Sequence, residues 1–442
     1  MTTDHIFRAG AGKAAIHYPE QFFPYRGFRG RKLIGVHDDI YARVLLMESG
    51  NTRFLIISLE LGDITDEWAA EIGEKVGVPA DHIWFTATHN HDAPYANSTC
   101  GEFVPDGEKT EPFCRSCVDA VLRAAAAAQS SLTPTHLRYG EGEASVNVNR
   151  DVKYTGRQPE ITSPYIAAKN LHGYSDHTVS VLEFLDEQEK AFAFVTGYAV
   201  HSSVLFQQFW GEDGGMMASG DLSGDAMRYV EERSDAVSIH LLGAAGDQNA
   251  RFNVVEPVFD RDGNVHNAVR SAGRYDMLDA MAEEWGGEIL LAARNAVDIP
   301  TAPLASGRLT ITAPTKEKYE GGPPMSLPAG YEWKIAGTAE LSLFMIRIGS
   351  LVLFGVPGEL VSHAGTCIKH TLLDRGFAHA MVVTQCNGSV SYMSDAEGYE
   401  KKTFEAIESH FAPGVAELIQ KGAAALADRV LGSGCEENIS GT

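Results

Sequence analysis

From residue 41 onward, short β-branched apolar runs alternate with amphipathic stretches and tight polar turns. That alternation restricts the chain to layered α/β architectures. "YARVLLME" (41–48) and "RFLIISLEL" (53–61) flank Ser-Gly-Asn and predict a hairpin. A helix over 66–77, a strand over 82–88 and a second helix over roughly 112–128 follow. Strand character returns over 135–151, 177–186 and 190–203, and the strand at 237–249 ends in a glycine-rich loop. Helices are expected over 224–235 and 276–297. The strand–helix–strand stretch from Phe54 to His91 is echoed over 350–392, which suggests an internal duplication of that unit. In each copy the first strand ends at a carboxylate, Glu60 or Asp63 in one and Glu359 in the other. The expected fold class is therefore mixed α/β: layered sheets flanked by helices, with the site at the strand ends.

No long low-complexity linker interrupts the pattern, so residues 1–442 read as one domain. The Pro/Gly-rich stretch 313–333 is a candidate lid or internal boundary loop, and 431–442 is expected to be a frayed tail. Against 36 basic residues stand 59 acidic ones, a formal charge of −23. Nucleic acid and anionic membrane both reward clustered Lys and Arg, so neither is expected as a partner. The N-terminal stretch lacks an apolar signal core, and no run of eighteen apolar residues occurs, so the expected location is cytoplasmic. The six cysteines then read as free thiols. Cys114 and Cys117 form a lone CxxC, which falls short of a four-cysteine zinc site.

Chemistry concentrates at the predicted strand ends. "ATHNHDAP" puts His89 and His91 two apart; on an extended chain both imidazoles would project to one side. Two histidines are half a zinc site at most, and a solvated corner would have the same sequence. His201 interrupts the apolar strand "TGYAVHSS", where a hydrogen-bonded core histidine is the ordinary reading. Glu359 follows a Pro-Gly turn at the mouth of a helix, a position that also suits a carboxylate complementing the helix dipole. Tyr392 and Tyr399 lie in "CNGSVSYMSDAEGY", and Asp221 and Asp247 sit in glycine-rich turns. No GxGxxG, Walker, HExxH or GxSxG pattern accompanies them.

In order and content, "RAGAGKAAI", "GVHDDIYARVLLME", "ATHNHDAP", "VNVNRD", "HTVSVLEF", "GYAVHSS", "GAAGDQN", "VPGEL" and "CNGSVSY" resemble the N-terminal catalytic domain of the neutral/alkaline non-lysosomal ceramidases. The resemblance covers most of the chain. It implies a mixed α/β domain with layered sheets and one Zn2+ per chain, hydrolysing an N-acyl amide bond. It implies His89, His201 and Glu359 as metal ligands, with Tyr392 as the fourth and Tyr399 as the alternative. It also implies His91 as the proton carrier and Arg150 of "VNVNRD" as the group that meets the substrate carbonyl. Asp247 would support the ligands from behind.

Departures from the family pattern lie at Asp92-Ala93, Ser202 and Ser389. Read as substrate-side changes, they imply a small, polar, soluble substrate. The chain also has no room for the family's C-terminal immunoglobulin-like domain. The mechanism so implied is attack by a metal-activated water, with an imidazole of ordinary pKa near ~6.5 moving the proton. An alternative keeps the metal but makes the protein an isomerase, lyase or lactonase acting on a sugar- or polyol-like substrate. Manganese or nickel in place of zinc, and a homo-oligomeric state, are left open.

Overall fold

The computed structural model describes residues 6–432, apart from 20, 22, 28–29, 97–105, 210–214, 320–326 and 329. One connectivity recurs three times along the chain: three antiparallel strands, a crossover helix, a fourth strand parallel to the third, then a long helix. The first unit is β1 (Phe7–Ile16), β2 (Ile40–Ser49), β3 (Thr52–Leu59), α1 (Ala69–Val76), β4 (Ile83–Ala87) and α2 (Thr110–Ser130). The second is β5 (His136–Glu143), β6 (Thr178–Leu185), β7 (Ala191–Tyr198), α3 (Asp221–Ser234), β8 (Val237–Leu242) and α4 (Arg274–Arg294). The third is β9 (Leu304–Lys316), β10 (Ile335–Ile348), β11 (Leu351–Gly355), α5 (Ser362–Asp374), β12 (His379–Val383) and α6 (Val415–Gly432). In all three the last pairing is parallel, β3 with β4, β7 with β8 and β11 with β12. The duplication expected from sequence is thus present as two of three like units.

The three sheets face one another. Leu45, Phe54 and Trp84 from the first, Leu182, Phe184 and Ile239 from the second, and Ile346, Leu353 and Met381 from the third form one buried cluster. Each sheet's other face is covered by its own helices, for example β1 and β2 by Val121 and Ala124 of α2. Strands buried on both faces lose the alternation of half-exposed ones, which is why β4 and β11 read as continuous apolar runs. Close packing of α2 on β1 needs Gly10, where an added Cβ would stand 2.1 Å from the Ala128 carbonyl oxygen.

One expectation changes. The segment 135–151 is not one strand: the chain leaves β5 at Glu143, and Asn147–Lys153 pairs instead with Tyr165–Asn170 and Gln248–Ala250. That turn-off carries Arg150 away from the second sheet. The stretch 313–333 overlaps the end of β9 and connects it to its antiparallel partner β10; residues 320–326 and 329 of it lie outside the described residues. Of the tail 431–442, Leu431 and Gly432 complete α6 and the rest lies outside the described residues. Among the described residues no helix is long and apolar enough to cross a membrane.

Candidate metal centre

The C-terminal ends of the parallel strands of all three units point to one place. β4 leads into His89 and His91, β7 into His201, and β11 into Glu359. The short strand Glu359–Leu360 pairs in parallel with Tyr392–Met393, which sets Tyr392 directly opposite Glu359. Parallel βαβ pairs leave backbone groups and loop side chains free at this end, the reason such sheets build sites there.

His89 does not lie on an extended chain. Its φ of +56° is left-handed, a conformation that costs a non-glycine residue about 1 kcal/mol or more. The period-two argument for pairing it with His91 therefore fails, yet the rings meet, with centroids 4.9 Å apart. A turn brings them together, pinned by Asn90 bridging to Ser202 and by the His91 amide donating to the Ser202 carbonyl at 3.0 Å.

His89, His201 and Glu359 are buried or nearly so. His89 Nδ1 donates to the Gly62 carbonyl at 2.8 Å, and His201 Nδ1 donates to the Gln248 carbonyl at 2.9 Å. Both tautomers are thereby fixed with Nε2 facing inward, the usual arrangement behind ligating imidazoles. Those two Nε2 atoms converge on a single carboxylate oxygen, Glu359 Oε2, at 3.2 and 3.1 Å. Donors about 2.0–2.1 Å from a tetrahedral ion stand roughly 3.3 Å from each other, so the set fits a zinc-like cation. The ligand atoms of His89, His91 and His201 also lie within 4.8 Å of one another.

The electrostatics match. Burial alone would raise the Glu359 carboxyl, but His89 and His201 hold it well below the usual range. Burial opposes charge on His89, yet Glu359 and Asp63 hold it well above the ordinary value. Burial, with Arg150 and His89 nearby, lowers His201 to about 4.

Arg150 is buried, and its guanidinium is largely occupied. It donates to Glu405 Oε1 at 2.7 Å, Asn249 Oδ1 at 3.1 Å and the Gly246 carbonyl at 2.6 Å. Its remaining contact in the site is Tyr392 Oη at 3.2 Å. Asp151 lies against Glu405, and burial with that neighbour pushes the Asp151 carboxyl well up. Tyr399 points elsewhere: its hydroxyl donates to the Phe411 carbonyl at 2.7 Å.

Other candidates are structural. Asp247 accepts from the Ser362 amide, the Ser362 hydroxyl and Asn149 Nδ2, tying its loop to the start of α5 and to the strand Asn147–Lys153; burial moves it up to about 6. Asp221 accepts the amides of Val204, Leu205 and Leu222 at the start of α3. Cys114 and Cys117 are buried thiols of α2 that burial keeps protonated. Of the two carboxylates after β3, Glu60 is paired with Arg43, while Asp63 lies 3.6 Å from His89 and accepts from Ser389 at 2.7 Å. Asp92 and Ser202 are fully buried, with Asp92 held by Gln208 and the Asn90 side chain.

Comparison with known proteins agrees with this geometry. A profile described as "Neutral/alkaline non-lysosomal ceramidase, N-terminal" matches residues 7–250. The neutral ceramidase of Pseudomonas aeruginosa is 23% identical over 487 aligned positions, taking in 93% of this chain and 70% of that one. The crystal structure of neutral ceramidase from P. aeruginosa superposes with a TM-score of 0.75 at 20% identity, covering 99% of this chain and 77% of its own. A ceramidase complexed with C2 gives 0.74 at 18% identity, covering 99% and 79%. The mixed α/β fold is that of these structures, and the chain belongs to the neutral/alkaline non-lysosomal ceramidase family, a family of hydrolases.

Proposed function

We propose that this protein is a zinc-dependent hydrolase of an amide bond in a small, soluble N-acyl compound. The observation that carries the reading is the convergence of His89 Nε2 and His201 Nε2 on Glu359 Oε2, with both Nδ1 atoms tied to backbone carbonyls. His89, His201, Glu359 and Tyr392 would hold the ion, and zinc in such a setting polarises a carbonyl and lowers the pKa of water to about 7. His91, packed edge-on against both other imidazoles, moves the proton to the leaving nitrogen. Arg150 acts through Tyr392: its N–H donated to the phenol oxygen stabilises negative charge on that oxygen and fixes its direction.

Family membership favours hydrolysis over isomerase or lyase chemistry. A net charge of −23 opposes adsorption to an anionic lipid surface, which favours a soluble substrate over ceramide in a membrane. The test is amine release from a panel of N-acyl compounds, from short polar amides to ceramide in neutral micelles. Turnover of a short member, lost on chelation and restored by Zn2+, is expected. Hydrolysis of ceramide alone would overturn the substrate class, and turnover unchanged by chelation would overturn the metal chemistry.

A further inference from the structure

A second group of metal-ligating side chains lies on α5, apart from the histidine–carboxylate cluster. His363 and Cys367 are one helical turn apart, so both side chains leave the same face. His363 is exposed and Cys367 half-buried. Their donor atoms, His363 Nε2 and Cys367 Sγ, are 3.8 Å apart. A tetrahedral ion with Zn–S near 2.3 Å and Zn–N near 2.0 Å sets sulfur and nitrogen about 3.5 Å apart, so the pair needs only a small adjustment to chelate one ion.

The surroundings supply what such a site needs. Asp395 Oδ2 lies 3.1 Å from His363 Nδ1, which fixes the tautomer that turns Nε2 toward the thiol. Asp395 is itself held in place, because its Oδ1 accepts the Gly398 amide as the cap of the helix Ala396–Lys401. The Tyr174 ring packs edge-on against the imidazole at 5.6 Å, and its hydroxyl shares a hydrogen bond with the Thr366 hydroxyl of the same helix at 2.8 Å. Glu417 of the neighbouring α6 adds negative charge near the sulfur. Burial and the charges of Asp395 and Glu417 keep the Cys367 thiol up, which makes it a poor resting nucleophile. The same negative potential attracts a cation, and a bound cation in turn favours the thiolate.

We propose that His363 and Cys367, oriented by Asp395, form a second and exchangeable binding site for a soft divalent cation such as Zn2+. Binding forms one metal–sulfur and one metal–nitrogen bond, and the thiol proton leaves to solvent. Water completes the coordination, so the site is weaker than a closed four-ligand one.

The test uses the purified enzyme with its tightly held metal in place and Zn2+ alone as probe. Alkylation of Cys367 by iodoacetamide, followed by mass spectrometry, is expected to slow at least tenfold when Zn2+ is added. His363→Ala should abolish that protection. Asp395→Asn, which keeps a helix-capping side chain, should weaken the apparent Zn2+ affinity roughly tenfold or more. Cys367→Ser should leave amide turnover unchanged, so failure here is distinguishable from failure of the hydrolase reading. An alkylation rate indifferent to Zn2+, or protection that persists in His363→Ala, would overturn the proposal.

Discussion

Arg150 shows what one side chain can and cannot reveal in sequence. Its motif marked it as a site residue, but its partners Glu405, Asn249 and Gly246 lie 255, 99 and 96 positions away. Nothing local in "VNVNRD" indicates that most of the guanidinium is already engaged. The role proposed for it is therefore to hold Tyr392. Removing the arginine leaves Glu405 buried without its cation, which typically costs about 3–5 kcal/mol. Arg150→Ala should thus lower both the urea midpoint and turnover. Tyr392→Phe should leave the unfolding free energy within about 1 kcal/mol of the parent while cutting turnover on the order of a hundredfold. Equal turnover in Tyr392→Phe would remove the hydroxyl from the mechanism. The proposed ligands His89, His201 and Glu359 stand in short motifs visible in the sequence, and the fold brings the three together. The carbonyls of Gly62 and Gln248 that orient the two histidines were not legible there, because backbone acceptors carry no residue signature.

At the scale of elements, the apolar runs and helix periodicity located most strands and helices between residues 41 and 297 and the unit at 350–392, but β1, the long hairpin of β9 and β10, and α6 were not expected, and one strand was carried past a bend. "THLRYGEGEASVNVNRD" stays polar and extended throughout, so its passage from one sheet to another at Ala144 left no break in pattern. The contact of β1 with α2 rests on the absence of a side chain at Gly10. Gly10→Ala should destabilise by on the order of 1–3 kcal/mol, since the clash is with helix backbone that cannot rotate away. An unchanged melting temperature would mean that α2 can lift from the sheet without loss.

Core histidines make a second element-scale prediction. His240 on β8 is buried with its ring 4.8 Å from Trp285, and burial lowers it to about 3. Above pH ~6.5 neither folded nor unfolded His240 carries a proton, so it contributes nothing to pH dependence. Between about 6.5 and 3 the unfolded chain binds a proton that the folded one does not, and stability falls as pH falls. His240→Leu should therefore lose less stability than the parent between pH 7 and 4.5, measured as the shift in urea midpoint. Identical shifts would show that another group sets the acid sensitivity.

For the molecule as a whole, three like units around one core explain both the fold and the site. Sequence comparison within the chain revealed the first and third units, because each ends in a polar loop after a recognisable strand–helix–strand. The second was hidden by the insertions between β5 and β6 and between β7 and α3. The site needs all three, since His89, His201 and Glu359 each come from a different one. No single stretch could have disclosed it, and only the order of motifs along the whole chain pointed there. The most direct measurement is metal content after gel filtration in the Cys367→Ser background, which removes the exchangeable surface donor. About one zinc per chain is expected, falling to near zero in His89→Ala and in His201→Ala while both variants remain folded by circular dichroism. Full metal retention in both variants, or a folded parent that carries no transition metal and takes up none when it is supplied, would contradict the assignment.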